Sequence, residues 1–383
     1  MPTKFDPGYS YGDLILKPRH SSIFPAQVDT SINLDRKLQL RVPIITSPMR
    51  SVTGLETTIA AGRAGALGIL PRSYLPDDLI ETIFRAKQHE VPVGVALDLS
   101  YRDGTEFLKL MRLVERAVKA GADLILGDTA DADADWYGDS LAQVCKVVSA
   151  LKQEFPHIVT MGGNIATYDA ASYLIDAGAS TLRVGIGPGH ICIYRTQTGN
   201  GVPQATAIRE VARALAVSNR SVQLIADGGI ETNGQIVIAL ALGASAVMMG
   251  NQFAGCDESP APRKRFRKED VPERYHRYFG KWKSKEFCLY SGMGSPKEIE
   301  HSLKLKQREY HGLKNTRLPA GGEIWVPACG PISDKIAEMQ AAIVEGMYAQ
   351  GCQRIEKLWE YADFYICSHS AQQEHGLNGW VAG

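Results

Sequence analysis

Features that would point to several classes of protein are missing from this sequence. Lysine plus arginine number 42 and aspartate plus glutamate also number 42, so no net charge attracts a nucleic acid or a membrane. No apolar run approaches the ~20 residues of a membrane span, and the first residues lack the apolar core of a signal peptide. We therefore expect a cytoplasmic protein without nucleic-acid or membrane partners.

Paired cysteines are missing as well. The seven cysteines are odd in number, scattered and without a CxxC pair, which indicates reduced thiols rather than a disulfide framework or a zinc site. What is present is an ordinary globular composition, with 44% hydrophobic and 22% charged residues over 383 positions. Such a chain can bury a large core.

From residue 42 onwards, short β-rich apolar runs alternate with longer stretches of helical periodicity. This alternation predicts βα units and a parallel sheet, and eight units over roughly 200 residues fit an α/β fold of the (β/α)8 TIM-barrel type. An open doubly wound sheet is the structural alternative, because helical crossovers alone do not reveal closure. The eight predicted strands begin at Val42, Ala66, Val91, Asp123, Ile158, Thr181, Val222 and Ala246.

Two segments depart from the repeating unit of this single domain, 1–383. Residues 256–287 are dense in charge and interrupted by proline, which predicts an exposed excursion after the eighth strand, with its basic cluster most simply a solvated surface. Residues 295–326 are polar and punctuated by glycine, as in a mobile lid or flap. Together they make an excursion and flap over about 256–326.

Active residues of a barrel cluster where strands end and loops begin. The sharpest such loop is GIGPGHIC, in which three glycines let the backbone approach a ligand just before Cys192. A cysteine attacks only as a thiolate, and Arg195 and His190 lie near it in sequence and would supply an electropositive setting. A packing role for Cys192 is the alternative. The glycines of ADGG and MMGN after the last two strands predict a phosphate site, or else only tight turns.

The successive motifs SPM-x-x-VT, DTA, GGN-x-AT, VGIGPG-x-IC, PQATAI, IADGGI, ALGASAVMMG, AG-x-DESP and YSGMGS resemble those of the IMP dehydrogenase and GMP reductase family. They occur in order up to about residue 330, and they are nearer to the dehydrogenases. The regulatory CBS domains that dehydrogenases usually insert after the second strand are absent from this sequence.

The resemblance implies that Cys192 attacks C2 of a purine nucleotide while NAD or NADP exchanges hydride there, with K+ as a second cofactor and a homotetramer as the assembly. The sequence does not distinguish NAD from NADP.

Several positions are carried over by matching the motifs. The substrate residues are Ser47, Met49, His190, Asp227, Gly228, Gly229, Gly250, Asn251, Tyr290, Gly292, Met293 and Gly294. The cofactor residues are Asp128, Thr129, Ala130, Asn164, Gly185 and Gly187, and the potassium ligands are Gly187, Gly189, Cys192 and Glu374, the last from a neighbouring subunit.

The sequence departs from the family at the phosphate pocket. His190 and Asn251 stand where serines are usual, and both side chains can still donate hydrogen bonds. Two changes in one anion pocket suggest a modified or different nucleotide as an alternative substrate.

Other departures concern catalysis. Tyr194 replaces the threonine that usually stands two residues after the cysteine, and Ala320 falls on the usual flap carboxylate or glutamine, although Glu323 is close by. The flap of the dehydrogenases carries an arginine-tyrosine dyad, but here Glu309 is inserted between Arg308 and Tyr310. Arg308 is therefore either a candidate base or an exposed arginine. The catalytic candidates are therefore Cys192, Arg308, Tyr194 and Glu323.

Two arginines complete the candidates. Arg50 follows SPM where aspartate is usual, and it predicts either an altered substrate contact or a surface pair. Arg72 lies near the place of a reductase lysine, and a structural ion pair is its simpler interpretation.

The leading hypothesis is oxidation of IMP to xanthosine monophosphate (XMP) by NAD. The alternatives are NADPH-dependent reductive deamination of GMP, or a divergent homologue that acts on a modified nucleotide or only binds one.

Overall fold

A computed structural model describes residues 6–35, 38–99, 104–129, 140–305 and 319–373. Before the barrel, β1 (Leu14–Leu16) is followed by the antiparallel pair β2 (Ile32–Asp35) and β3 (Leu38–Leu40). The barrel strands are β4 (Ile44–Thr46), β5 (Leu67–Leu70), β6 (Val93–Asp98), β7 (Leu124–Asp128), β8 (Val159–Ile165), β9 (Thr181–Val184), β10 (Gln223–Asp227) and β11 (Ala246–Met249).

These eight strands form a closed parallel barrel in which β11 pairs with β4. Closure confirms the predicted (β/α)8 fold and excludes the open sheet. Each predicted strand is present and begins within two residues of its predicted start. Almost every strand residue is buried, because the inward face fills the barrel and the outward face meets the helices.

Helices cover the outside of the barrel. They are α1 (Leu55–Arg63), α2 (Pro76–Lys87), α3 (Gly104–Lys119), α4 (Ser140–Glu154), α5 (Tyr168–Ala177), the short α6 (Tyr194–Thr198), α7 (Gln204–Val217), α8 (Asn233–Ala241) and the short α9 (Asn251–Ala254). The boundaries of α5 follow from its sequence. The Thr167 side chain accepts a hydrogen bond from the Ala170 amide at 3.2 Å, and Gly178 ends the helix at φ 96°, a conformation that favours glycine.

The excursion after the eighth strand is a small sheet. Strands β12 (Arg263–Arg267), β13 (Ser284–Ser291) and β14 (Glu323–Pro327) pair antiparallel in that order, with α10 (Pro296–Leu305) between the last two. The predicted exposure holds for β12, but the excursion also has its own core. Phe279 and Phe287 are buried with ring centroids 5.5 Å apart, which corrects the picture of a wholly exposed segment.

The chain then returns to the barrel through α11 (Ile332–Ala349), α12 (Ile355–Tyr361), β15 (Phe364–Ile366) and α13 (His369–Gln373). Strand β15 pairs antiparallel with β1, so the two ends of the described chain meet. No helix within the described ranges has both the length and the apolar character needed to cross a membrane.

Candidate active site

A buried arginine organises the carboxyl-terminal end of the barrel. The Nη1 of Arg183 on β9 donates to Oδ1 of Asp128 at 2.6 Å, and its Nε donates to Oδ2 of Asp227 at 2.9 Å. Arg183 is 8% exposed, so both charge-assisted bonds are shielded from water. The arginine therefore holds the carboxylates at the ends of β7 and β10 in fixed positions.

Asp227 has further partners. The side-chain nitrogen of Asn164 lies 2.9 Å from Oδ2 of Asp227 and 2.9 Å from the carbonyl oxygen of Gly185, and the Ser47 hydroxyl donates to Oδ1 at 3.5 Å. The predicted residues Ser47, Asn164, Gly185 and Asp227 are thus brought together. These donors hold the carboxylate in one orientation at the mouth of the barrel.

Below this cluster, Gln204 connects two loops. Its amide nitrogen donates to the carbonyl oxygens of Val184 at 2.7 Å and Asp227 at 3.1 Å. A β-carbon on Gly185, whose φ is 150°, would lie 2.2 Å from the Asp227 carbonyl oxygen. Only glycine permits this approach of the cysteine loop to β10.

Cys192 lies at the end of the glycine loop and is partly buried. Its amide donates to the Gly189 carbonyl at 2.9 Å. Burial raises the pKa of its thiol above the ordinary value, and the backbone N–H of Tyr194 and the charge of Arg195 lower that pKa without offsetting burial. The charge of Arg195 thus acts on Cys192 in the expected direction, but burial has the larger effect.

The two basic neighbours of Cys192 have other roles. The Arg195 guanidinium donates to the carbonyls of Ile186 and Val202 and supports the loop from below. The Nδ1 of His190 lies 3.5 Å from a carboxylate oxygen of Glu231. Arg195 therefore supports the loop in addition to lowering the pKa of Cys192, whereas His190 forms an exposed pair.

Backbone carbonyls of the loop beside Cys192 form a candidate cation site. Within the described residues, the carbonyl oxygens of Gly187 and Cys192 accept no hydrogen bond, and that of Gly189 accepts one. Gly187 has φ 85°, which turns the backbone sharply. Unpaired carbonyls in irregular backbone suit a monovalent cation.

A three-residue segment closes the site from the flap side. The Ile193 amide donates to the Ala320 carbonyl at 2.9 Å and the Gly322 amide to the Ile191 carbonyl at 2.8 Å. On the other side, the amides of Ala320 and Gly321 donate to Gly294 at 3.2 Å. Backbone of 320–322 thus joins the cysteine loop to the predicted base-binding loop Gly292, Met293 and Gly294.

Three of the substrate candidates, Tyr290, Met49 and Gly250, meet on the opposite side of the site. The Tyr290 hydroxyl lies 3.6 Å from the Met49 sulfur, and a β-carbon on Gly250 would lie 2.4 Å from that hydroxyl oxygen. Burial raises the pKa of Tyr290, which keeps it protonated and able to donate. Next to it, the Asn251 side-chain oxygen is buried without a hydrogen-bond partner in the described part of the chain.

The two glycines after β10 complete this wall. Gly228 and Gly229 have φ 89° and 76°, and β-carbons on them would lie 3.2 Å from the amide of Gly189 and the side chain of Pro188. The phosphate candidates therefore pack directly on the cysteine loop.

The two arginines singled out from the sequence both form ion pairs. Arg50 donates from Nε and Nη2 to Glu298 at 3.0–3.2 Å, and Glu298 is 5% exposed. Arg72 contacts Asp128, with Nε 3.5 Å from the carboxylate and Nη1 3.0 Å from the carbonyl oxygen. Arg50 thereby joins the loop after β4 to α10.

Of the other catalytic and cofactor candidates, Glu323 bonds Lys297 at 2.8 Å, and its second carboxylate oxygen is buried without a hydrogen-bond partner among the described residues. Thr129 lies beside Asn164, whose amide donates to the Thr129 carbonyl at 2.9 Å. Ala130, Arg308 and Glu374 lie outside the described residues.

Sequence reasoning overlooked Arg183 and Gln204. A signal existed for Arg183, since it is a charged residue inside an otherwise apolar barrel strand, TLRV, where a cation needs a buried partner. Gln204 lies in the PQATAI motif, but its role depends on the approach of β9 and β10, which the sequence does not display.

The fold and site define a (β/α)8 barrel with a cysteine-bearing glycine loop facing a carboxylate cluster. Residues 8–377 match the family model for the IMP dehydrogenase / GMP reductase domain, and the chain belongs to this family. It is 30% identical to inosine-5'-monophosphate dehydrogenase of Borreliella burgdorferi over 98% of each chain. It is 28% identical to the Cryptosporidium parvum enzyme of that name over 96% of this chain and 94% of the relative, and 27% identical to that of Halalkalibacterium halodurans over 93% of each.

Proposed function

We propose that this protein is a purine-nucleotide oxidoreductase that converts IMP, NAD+ and water to XMP, NADH and a proton. The observation that carries the proposal is the placement of Cys192 on a fixed glycine loop beside the Asp227 cluster. Relatives named inosine-5'-monophosphate dehydrogenase, which align with this chain over 93–98% of their own length, also support the proposal.

The substrate would bind across the barrel mouth. The Asp227 carboxylate, held by Arg183 and Asn164, is suited to accept hydrogen bonds from the two ribose hydroxyls in a fixed geometry. Gly229, Gly250 and Tyr290 would surround the phosphate. The loop 292–294, joined to the cysteine loop through 320–322, would face the base.

The covalent step begins with loss of the Cys192 thiol proton. The sulfur then forms a bond to C2 of the purine, and the hydrogen on C2 leaves with its electron pair. Water next adds to C2, the carbon–sulfur bond breaks, and sulfur recovers a proton as XMP departs. The raised pKa of the Cys192 thiol means that substrate binding or a nearby base must assist the first proton loss.

Bound NAD supplies the acceptor for that hydride. Asp128, Thr129 and Asn164 form a polar edge next to Gly185, where the ends of β7, β8 and β9 meet, and these residues fit a dinucleotide lying across the rim. The carbonyls of Gly187, Gly189 and Cys192 fit a potassium ion that would hold the loop in shape. A homotetramer and the contribution of Glu374 to that ion remain predictions.

We propose that the water that hydrolyses the adduct is activated by a residue of the flap segment. Glu323 offers a buried carboxylate oxygen without a partner, while Tyr194 supplies its backbone N–H to the sulfur. Arg308 stays a candidate base. Single substitutions can separate the roles of Glu323 and Arg308, since only a water-activating residue should slow adduct hydrolysis without slowing hydride transfer. The N–H of Tyr194 belongs to the backbone and is kept when its side chain is replaced.

The test is a spectrophotometric assay of reduced cofactor with K+ present. We expect NADH formation from IMP plus NAD, abolished in Cys192→Ala and retained in Cys145→Ala, whose thiol is on α4 away from the site. Turnover with GMP plus NADPH alone would assign the reductase reaction instead. Turnover in neither mixture would overturn both assignments.

A modified nucleotide is the second candidate substrate, and the phosphate pocket favours it. The pairing of His190 with Glu231 brings a carboxylate to that pocket, and the Asn251 side-chain oxygen there is an unpaired acceptor. The carboxylate reduces the attraction for a doubly charged phosphate, and Asn251 would have to rotate its amide to donate a hydrogen bond to it. A lower KM for inosine, or for an IMP whose phosphate is blocked as a singly charged methyl ester, than for IMP itself would support this candidate.

A further inference from the structure

Two cysteines far apart in the chain meet at the base of the excursion. The Sγ atoms of Cys256 and Cys329 are 3.6 Å apart, although 73 positions separate the residues. Backbone bonds fix both sides, because the Cys329 amide donates to the Gly255 carbonyl at 3.0 Å and the Asp257 amide to Gly330 at 2.9 Å. Neighbouring positions of paired segments are at the spacing that a disulfide spans.

The two thiols have different environments. Cys256 is 1% exposed, whereas Cys329 is exposed. The hydrogen bond from Cys256 and then the charge of Lys335 lower the pKa of Cys329, while the same contact and burial raise the pKa of Cys256. An accessible thiolate beside a buried thiol is the arrangement of an attacking and a resolving cysteine.

We infer that Cys256 and Cys329 form a modification site that takes a low-molecular-weight disulfide as its substrate and closes to an intramolecular disulfide. The Cys329 sulfur attacks one sulfur of the small disulfide, giving a mixed disulfide and releasing one thiolate. Cys256 then loses its proton and attacks the Cys329 sulfur, releasing the second thiolate. Two protein thiols are oxidised and one small disulfide is reduced to two thiols.

The position of the pair gives the cross-link a mechanical effect. The chain leaves the barrel at Cys256 and returns at Cys329, and the loop between them contains Tyr290 and the base-binding segment 292–294. Of the seven cysteines, all within the described ranges, only these two are joined by a sulfur–sulfur hydrogen bond. Oxidation would therefore fix the base of the excursion covalently without involving Cys192.

The test uses the full chain with Cys192→Ala, so that its outcome is independent of the proposed activity. The protein is equilibrated at pH 7 with oxidised and reduced glutathione in varied ratio, quenched with acid, alkylated and mapped by mass spectrometry. We expect a peptide pair joined through Cys256 and Cys329. Adding Cys256→Ser should trap glutathione on Cys329, and adding Cys329→Ser should lower the rate of thiol loss at least about 10-fold.

Cys145→Ser in the same background is the control and should leave the cross-link unchanged. The buried Cys256→Ser substitution could prevent folding. Cys329→Ser changes an exposed side chain, so this variant still tests the inference in that case. Stable glutathione on Cys329 with Cys256 intact would overturn the inference. So would a cross-link that forms only after the chain is unfolded in urea.

Discussion

Arg183 and Asp227 are joined twice, with Nε 2.9 Å and Nη2 2.8 Å from the same carboxylate oxygen. The third guanidinium nitrogen, Nη1, binds Asp128, so one planar cation connects β7, β9 and β10. Lysine cannot reproduce this geometry, because its ammonium is a single point charge.

Replacing Arg183 should therefore be costly. Arg183→Met leaves the shielded Asp227 carboxylate without its arginine and Asp128 with only the 3.5 Å contact to Arg72, and we expect a loss of about 3–5 kcal/mol in the free energy of unfolding. Urea denaturation at pH 7 measures it. Arg213→Met removes an exposed arginine paired with Glu210 and should change stability by no more than about 0.5 kcal/mol. Equal effects of the two substitutions would contradict the role of Arg183.

Gly250 should tolerate no side chain while Tyr290 keeps its hydroxyl. Gly250→Ala places a methyl group 2.4 Å from the Tyr290 oxygen, so we expect a loss of catalytic efficiency of at least about 10-fold, partly restored by adding Tyr290→Phe. Gly234→Ala is the matched control, since its β-carbon would meet nothing within 4 Å. If Tyr290→Phe fails to improve Gly250→Ala, the steric account is wrong.

The alkylation rates of two cysteines should depend differently on pH. Contact with Cys256 lowers the pKa of Cys329 to about 7, whereas burial raises that of Cys192. Reaction with iodoacetamide, followed residue by residue from pH 6 to 10, should level off for Cys329 just above neutrality. For Cys192 in the free protein it should keep rising ~10-fold per pH unit up to its raised pKa. A shared midpoint would refute the difference.

Arg50 and Glu298 should be energetically coupled. Arg50 is half exposed, so we expect a coupling of about 1 kcal/mol in a double-mutant cycle of Arg50→Ala and Glu298→Gln. Because this pair joins the loop after β4 to α10, Arg50→Ala should also raise KM more than it lowers kcat. Additive single effects in the cycle would show that the pair carries no coupling.

The barrel was predictable because each strand is a short apolar run that ends in a polar or glycine turn, a signal contained within a few residues. The glycine loop and Cys192 were predictable for the same reason. Arg183 was not assigned, since its partners Asp128 and Asp227 lie 55 and 44 positions away and only barrel closure brings them together.

The environment of Cys192 could be predicted only in part for a related reason. Nearness in sequence suggested help from His190 and Arg195; Arg195 lowers the pKa of Cys192 from beneath the loop, but His190 faces Glu231 and burial raises the pKa by more. Helical and loop geometry decides where a neighbouring side chain points, and a list of adjacent residues does not contain it.

The excursion begins and ends at adjacent, hydrogen-bonded positions around Gly255 and Gly330, and a β-carbon on Gly255 would lie 2.4 Å from the Pro327 carbonyl oxygen. A segment attached in this way resembles a cassette, since its length and surface can vary while its two attachment points stay fixed. Transplanting 262–327 from a relative should therefore be an effective route to exchanging substrate preference without rebuilding the barrel.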